Sequence, residues 1–144
     1  MNEITAGRPA RRIVLGSSLA VGATCALAAC GGGGGSASSE APSATGEGTE
    51  AATTEELQVG GSMSVDLDGK NYLLHRPDEA TVLAYSSVCT HEGCQVGIGA
   101  ENFSCPCHGS EFAMADGARV AGPAKDPLAR YAAEIDGDKV IVYL

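Results

Sequence analysis

Six side chains able to bind a metal fall within twenty residues of this 144-residue chain. They stand in two short runs, Cys89-Thr90-His91-Glu92-Gly93-Cys94 and Cys105-Pro106-Cys107-His108-Gly109-Ser110. A single cysteine is commonly just a small buried hydrophobe, but core packing does not gather four thiols and two imidazoles in this way. A Cys-x-His arm with a Cys-x-x-His arm is the spacing that lets adjacent side chains converge on one metal centre. Cys₂His₂ ligation could be a closed tetrahedral zinc site. Zinc alone would leave Cys94 and Cys107 as spare thiols.

The elements that must position these runs read as strands. Met63, Val65 and Leu67 alternate with polar residues, and Asp68-Gly69-Lys70 turns the chain into Tyr72-Leu73-Leu74, the pattern of a hairpin. Thr81 to Tyr85 is a compact run rich in β-branched and apolar residues. Arg130 to Ile135, the turn Asp136-Gly137-Asp138 and Lys139 to Leu144 predict a second hairpin. No long stretch has helical period, so residues 57–144 are expected to form an all-β domain. A domain of this size buries only about 60–65 % of its unfolded surface. With two Phe, four Tyr and no Trp, its core is thin, and small domains of this kind need covalent or metal staples.

The residues before the domain have another character. Arg11-Arg12 precedes an apolar stretch that ends in Leu27-Ala28-Ala29-Cys30. A basic start, a short apolar core and a small-residue exit are the layout of an export signal. Residues 1–29 resemble a twin-arginine signal, and the four residues ending at Cys30 resemble a lipoprotein box, with Cys30 the lipid acceptor. The alternatives are a general export signal and a retained membrane anchor. Residues 30–56 are rich in Gly, Ser, Ala, Thr and Glu, which predicts a disordered tether, about 28 Å across on average. Arg8, Arg11 and Arg12 stand against Glu3 alone in residues 1–30, so the remainder carries 6 basic and 17 acidic residues. That balance excludes nucleic acid as a partner, because neutralising phosphates needs a basic surface.

The paired loops resemble those of the Rieske [2Fe–2S] family, whose pattern is Cys-x-His and Cys-x-x-His with an additional cysteine in each loop. Gly122-Pro123-Ala124 with Pro127-Leu128 is similar to the family's proline-containing loop over the cluster. The resemblance is close over 89–127 and extends plausibly over 57–144. It implies a small antiparallel β-sandwich with a cluster-binding subdomain of two loops. It places Cys89 and Cys105 on one iron, His91 and His108 on the other, and a disulfide between Cys94 and Cys107. Around the cluster it implies roles for Ser110, as a hydroxyl donor to a bridging sulfide, and for Gly122 and Pro123 in the covering loop. Phe112 stands where high-potential relatives carry a Tyr, and Glu92 where quinol-oxidising relatives carry an apolar residue. His75 matches no motif and reads as a surface residue.

Charge explains the value of the imidazoles. Two ferric irons, two sulfides and two thiolates sum to zero, whereas four thiolates would leave a dianion. Reduction of the neutral centre is easier, and such centres lie at about −150 to +300 mV rather than near −400 mV. The absent phenol and the added carboxylate both point to a mid-range potential.

These residues imply a one-electron carrier, tethered by Cys30 on the outer face of the cytoplasmic membrane, with a cytochrome or a quinol-linked membrane donor as partner. No nucleophile–base pair is evident, so catalysis by this chain alone is not expected. The alternatives are the iron–sulfur subunit of a quinol-oxidising cytochrome complex, an electron-transfer subunit of an exported molybdenum-type oxidase and, without redox chemistry, a structural zinc domain. An oxygenase ferredoxin fits poorly, because those relatives lack the second cysteine pair and a signal.

Overall fold

The computed structural model describes residues 42–144. The signal at 1–29, Cys25 and the lipidation site Cys30 lie outside the described residues. Ten strands follow in chain order: β1 (Gly48–Thr53), β2 (Ser62–Leu67), β3 (Lys70–His75), β4 (Leu83–Ser86), β5 (Gly97–Ile98), β6 (Asn102–Ser104), β7 (Glu111–Ala113), β8 (Arg119–Ala121), β9 (Arg130–Asp136) and β10 (Lys139–Tyr143). They form a six-stranded antiparallel sheet, in the order β1-β10-β9-β4-β3-β2, and a four-stranded sheet in the order β5-β6-β7-β8. The larger sheet curls into a near-barrel. The smaller one carries the metal-binding runs as two loops, one between β4 and β5 and one between β6 and β7, which is the expected cluster-binding subdomain.

Both expected hairpins are present, and their turns explain the sharp reversals. Leu67 pairs with Lys70, so Asp68 and Gly69 form a two-residue loop with φ of 54° and 77°. Two left-handed residues in succession make the type I′ turn whose twist suits a hairpin. In the second hairpin Lys139 pairs with Asp136, and Gly137 takes the positive φ at the first loop position.

The near-barrel begins earlier than the sequence pattern suggests. Residues 48–53 were expected within the tether, but β1 lies antiparallel along β10 from Gly48↔Tyr143 to Thr53↔Lys139. The physical reason is that an edge strand needs little apolar surface: Ala52 alone is buried in β1. Lys139 adds an ion pair to Glu50. Beyond it, Thr53 and Glu56 hydrogen-bond each other reciprocally. Leu57 then plugs the barrel interior at 1 % exposure. Segment 48–56 is therefore part of the folded domain.

Strands β3 and β4 are buried on both faces. Tyr72, Leu74, Val82 and Ala84 pack inside the barrel with Leu67, Val140 and Val142. The intervening Leu73, Leu83 and Tyr85 pack outward against Val96, Phe103, Phe112 and Leu128, together with Cys89 and Cys105. A period of two explains both sets, and a nearly continuous apolar run is what a strand covered on both sides requires. Phe103 and Phe112 are directly paired across β6 and β7 and are fully buried. Each contributes about 1.5–3 kcal/mol by burial, so this second core fixes the small sheet onto the barrel.

Candidate metal centre

The two metal-binding runs fold as one turn used twice. In the first, the Cys89 amide donates to the Cys94 carbonyl (2.8 Å) and the Gly93 amide to the Cys89 carbonyl (2.9 Å). In the second, Cys105 donates to Ser110 (2.8 Å) and Gly109 to Cys105 (3.1 Å). Gly93 and Gly109 both have φ near 70°, the left-handed conformation glycine adopts without a Cβ penalty. Position for position, Cys89 matches Cys105, His91 matches Cys107, Glu92 matches His108 and Cys94 matches Ser110. The small sheet supplies rigid ends to the second turn, which joins β6 to β7, while β4 leads into the first.

The loops bring the chemistry-bearing side chains together. Cys94 and Cys107 are joined by a disulfide with Cα atoms 6.5 Å apart. Cys89 and Cys105 remain free and are buried. His91 and His108 are exposed, with ring centres 4.9 Å apart and planes at 87°. The spare thiols of the zinc reading are therefore used by each other, the remaining two thiols are buried, and the two imidazoles are exposed. Burial pushes the Cys89 thiol up, but hydrogen bonds from the His91 backbone and from the Cys105 and Ser110 side chains outweigh it. The net effect holds this thiol below its ordinary value, which favours the thiolate that binds metal.

A strap formed by residues 122–127 closes over both turns. Gly122 has φ of 82°, and a Cβ there would lie 2.4 Å from the Gly109 carbonyl oxygen and from Ser110 Cα. The Ala124 amide donates to Ser110 Oγ at 3.1 Å. On the other side Thr90 Oγ1 donates to the Asp126 carbonyl at 2.7 Å, and Arg119 Nη2 holds the Gly122 carbonyl at 2.7 Å. Pro123 lines a groove beside His91 together with Thr90, Lys125 and Asp126. Thr90 and Arg119 were not expected as parts of the site. The Thr90 bond joins residues 36 apart, which no local spacing reveals.

The remaining expected residues fall as follows. Ser110 is fully buried, accepting from the strap while its side chain reaches Cys89. Phe112 packs in the same core as Cys89 and Cys105. Glu92 is exposed, its Oε2 3.7 Å from His108 Nε2. His75 is not a free surface residue: half-buried, its Nδ1 lies 2.9 Å from Ser62 Oγ and 3.0 Å from the Gly61 carbonyl. Ser62 in turn donates to Met114 Sδ at 3.3 Å, linking barrel to small sheet away from the metal-binding loops.

Comparison with known proteins agrees with this geometry. The profile of the Rieske [2Fe-2S] domain family matches residues 48–132, starting at the first residue of β1. The cytochrome b6-f complex iron-sulfur subunit of Chlorobaculum thiosulfatiphilum is 36% identical over 98 residues, covering 61% of this chain and 53% of that protein. The corresponding subunit of Gloeobacter violaceus is 38% identical over 95 residues, covering 65% and 48%. The chain thus spans about half the length of these curated relatives. Among solved structures, the plasma membrane Rieske protein PetC3 of Synechocystis PCC 6803 superposes with a TM-score of 0.59 at 30% identity, over 67% of this chain and 99% of that one. The ferredoxin of carbazole 1,9a-dioxygenase from Nocardioides aromaticivorans gives 0.55 at 28% identity, over 66% and 95%. Two buried free thiols and two exposed imidazoles are the donor types a [2Fe–2S] cluster of mixed ligation takes, and the disulfide ties together the two turns that carry them. The chain belongs to the Rieske [2Fe–2S] family, as an all-β electron-transfer domain of the disulfide-containing type.

Proposed function

We propose that this chain is a one-electron carrier in which Cys89 and Cys105 bind one iron and His91 and His108 the other, tethered outside the cytoplasmic membrane through Cys30. The observation that carries the reading is the sorting of the ligands: free thiols inside, imidazoles at the surface. When bound, the cluster supplies reversible one-electron chemistry at the potential its mixed ligands set. The chain's own residues hold the thiolates, exclude water from the sulfur side and leave the histidine edges open for electron exchange. Iron and sulfide analysis of the holoprotein, with electron paramagnetic resonance after reduction, tests the centre. Two irons and two sulfides per chain, lost in Cys89→Ser and His108→Ala, are expected. Stoichiometric zinc without a signal from a reduced cluster overturns it.

The tether rests on the sequence before the folded domain, and among the described residues no helix is long and apolar enough to cross a membrane. Mass spectrometry of the membrane fraction is expected to find an acylated Cys30 at the amino terminus. Two acyl chains give the stable attachment that one does not. A chain still carrying Arg11 and Arg12 would favour a retained anchor instead. A second reading, the iron–sulfur subunit of a quinol-oxidising complex, is favoured by the cytochrome b6-f relatives. Co-purification with a cytochrome and quinol oxidation by the assembly would support it over the lone carrier.

A further inference from the structure

We infer that the surface around His91 and His108 docks a redox protein whose own electron-exchange face is basic, with Glu92 and Asp126 as the anionic contacts that steer it. The inference rests on the electron-transfer reading above and specifies the kind of partner.

Three observations carry it. Glu92 is 61% exposed at its side chain and reaches within 3.7 Å of His108 Nε2. One ring nitrogen from each of His91 and His108 and a carboxylate oxygen of Glu92 all lie within 4.8 Å of one another. A partner approaching the imidazole edges therefore meets a carboxylate at contact distance. The exposed Asp126 lines a groove together with His91 and with Lys125, the one Lys or Arg of the two turns and the strap.

Second, the apolar side chains exposed on the two turns and the strap are the prolines Pro106, Pro123 and Pro127. Among the described residues, the large exposed hydrophobic ones are Val59, Val88, Ile98, Val120 and Leu144. None belongs to the turns 89–94 and 105–110 or to the strap 122–127. Apart from those prolines and the disulfide, the side chains exposed around the imidazoles are polar or charged: Thr90, Glu92, Lys125 and Asp126.

Third, the described residues carry 16 acidic and 6 basic side chains. A net negative body attracts a cationic partner from a distance and accelerates encounter. Screening limits that attraction to about 8–10 Å at ordinary salt, so the carboxylates beside the histidines govern the final orientation. Across this contact one electron passes, oxidising the donor and reducing the acceptor by one electron each. No covalent bond forms or breaks.

The test is stopped-flow oxidation of the reduced holoprotein by three probes: a basic c-type cytochrome, the trication tris(phenanthroline)cobalt(III) and the anion ferricyanide. Rates with both cationic probes are expected to fall as salt rises, and the rate with ferricyanide to increase. At low salt, Glu92→Lys is expected to slow the cationic probes by about tenfold and to accelerate ferricyanide. Opposite movements separate docking from an altered driving force, which moves every oxidant's rate in the same direction. Glu55→Lys, in the turn after β1, makes the same change in net charge without adding a cation beside the histidines, and a much smaller effect is expected. Equal effects of the two substitutions, or Glu92→Lys moving all probes together, overturn the proposed docking surface. No electron exchange with any probe overturns the electron-transfer reading itself, and the docking surface with it.

Discussion

Gly122 is pressed against Ser110 so closely that a Cβ on Gly122 would lie 2.4 Å from the Ser110 Cα. The strap and the second turn thus meet backbone to backbone, and at a φ of 82° only glycine allows it without strain. A methyl group there has no flexible side chain to displace, so the strap must lift. Gly122→Ala is therefore expected to cost more than about 2 kcal/mol and to accelerate loss of the cluster, followed as bleaching of its visible absorption. Thr90→Val, which removes the other clasp, should bleach faster than Thr90→Ser. Wild-type stability and bleaching in Gly122→Ala would mean the strap does not seat on the turn.

The disulfide has a different task. Cys94 and Cys107 are 13 residues apart, and cross-linking a loop of that size stabilises by about 3 kcal/mol in the chain-entropy model. Cys94→Ser is expected to assemble a cluster, because the free thiols Cys89 and Cys105 are untouched, and to lose it faster. Alkylation of the folded oxidised protein should modify neither Cys94 nor Cys107. Labelling of both would refute the cross-link.

Tyr85 lies in the core between the sheets, fully buried, with its hydroxyl making no hydrogen bond. A buried polar atom without a partner costs about 1–3 kcal/mol, so Tyr85→Phe should be neutral or stabilising in denaturant titrations. Burial pushes the phenol up to about 12, Arg130 pulling against that shift. An unfolded phenol ionises near 10. Between these values the unfolded state sheds a proton that the folded state keeps, so stability falls as pH rises from 10 towards 12. Tyr85→Phe should remove that alkaline loss. An unchanged pH profile in the variant would show that another group causes it.

How much of this was legible depended on the range over which each feature is encoded. The ligand loops and both hairpins are local: Asp68-Gly69 and Gly137 mark their turns, and Cys-x-His is read within three residues. β1 was missed because Gly-Thr-Glu-Ala-Ala-Thr needs no large apolar group to line an edge. Strands of two or three residues such as β5 and β6 are too short to show a period. Contacts that depend on chain return, such as Thr90 with Asp126 and Ser62 with Met114, had no local mark. The same holds for Arg76, whose guanidinium holds the Thr54, Leu57 and Glu79 carbonyls. A lone arginine beside Pro77 gives no sign of that task.

Phe112 allows the sharpest check on the arrangement around the cluster. Its ring is fully buried in the core that contains Cys89 and Cys105, and β7 sets it two residues after Ser110. A hydroxyl added at the ring edge should donate to a cysteine sulfur if the ring faces the metal side. Such donation draws negative charge from the centre. Reduction adds negative charge, so the bond strengthens in the reduced state and the potential rises. A differential gain of about 1 kcal/mol, typical of one net hydrogen bond, corresponds to about 40 mV, since a tenfold change is about 59 mV for one electron. Ser110→Ala removes a donor beside Cys89 and should lower the potential by a comparable amount. Protein-film voltammetry of Phe112→Tyr and Ser110→Ala at one pH measures both shifts. A potential that stays or falls in Phe112→Tyr would show that the ring edge points away from the sulfurs, into the Phe103 side of the core.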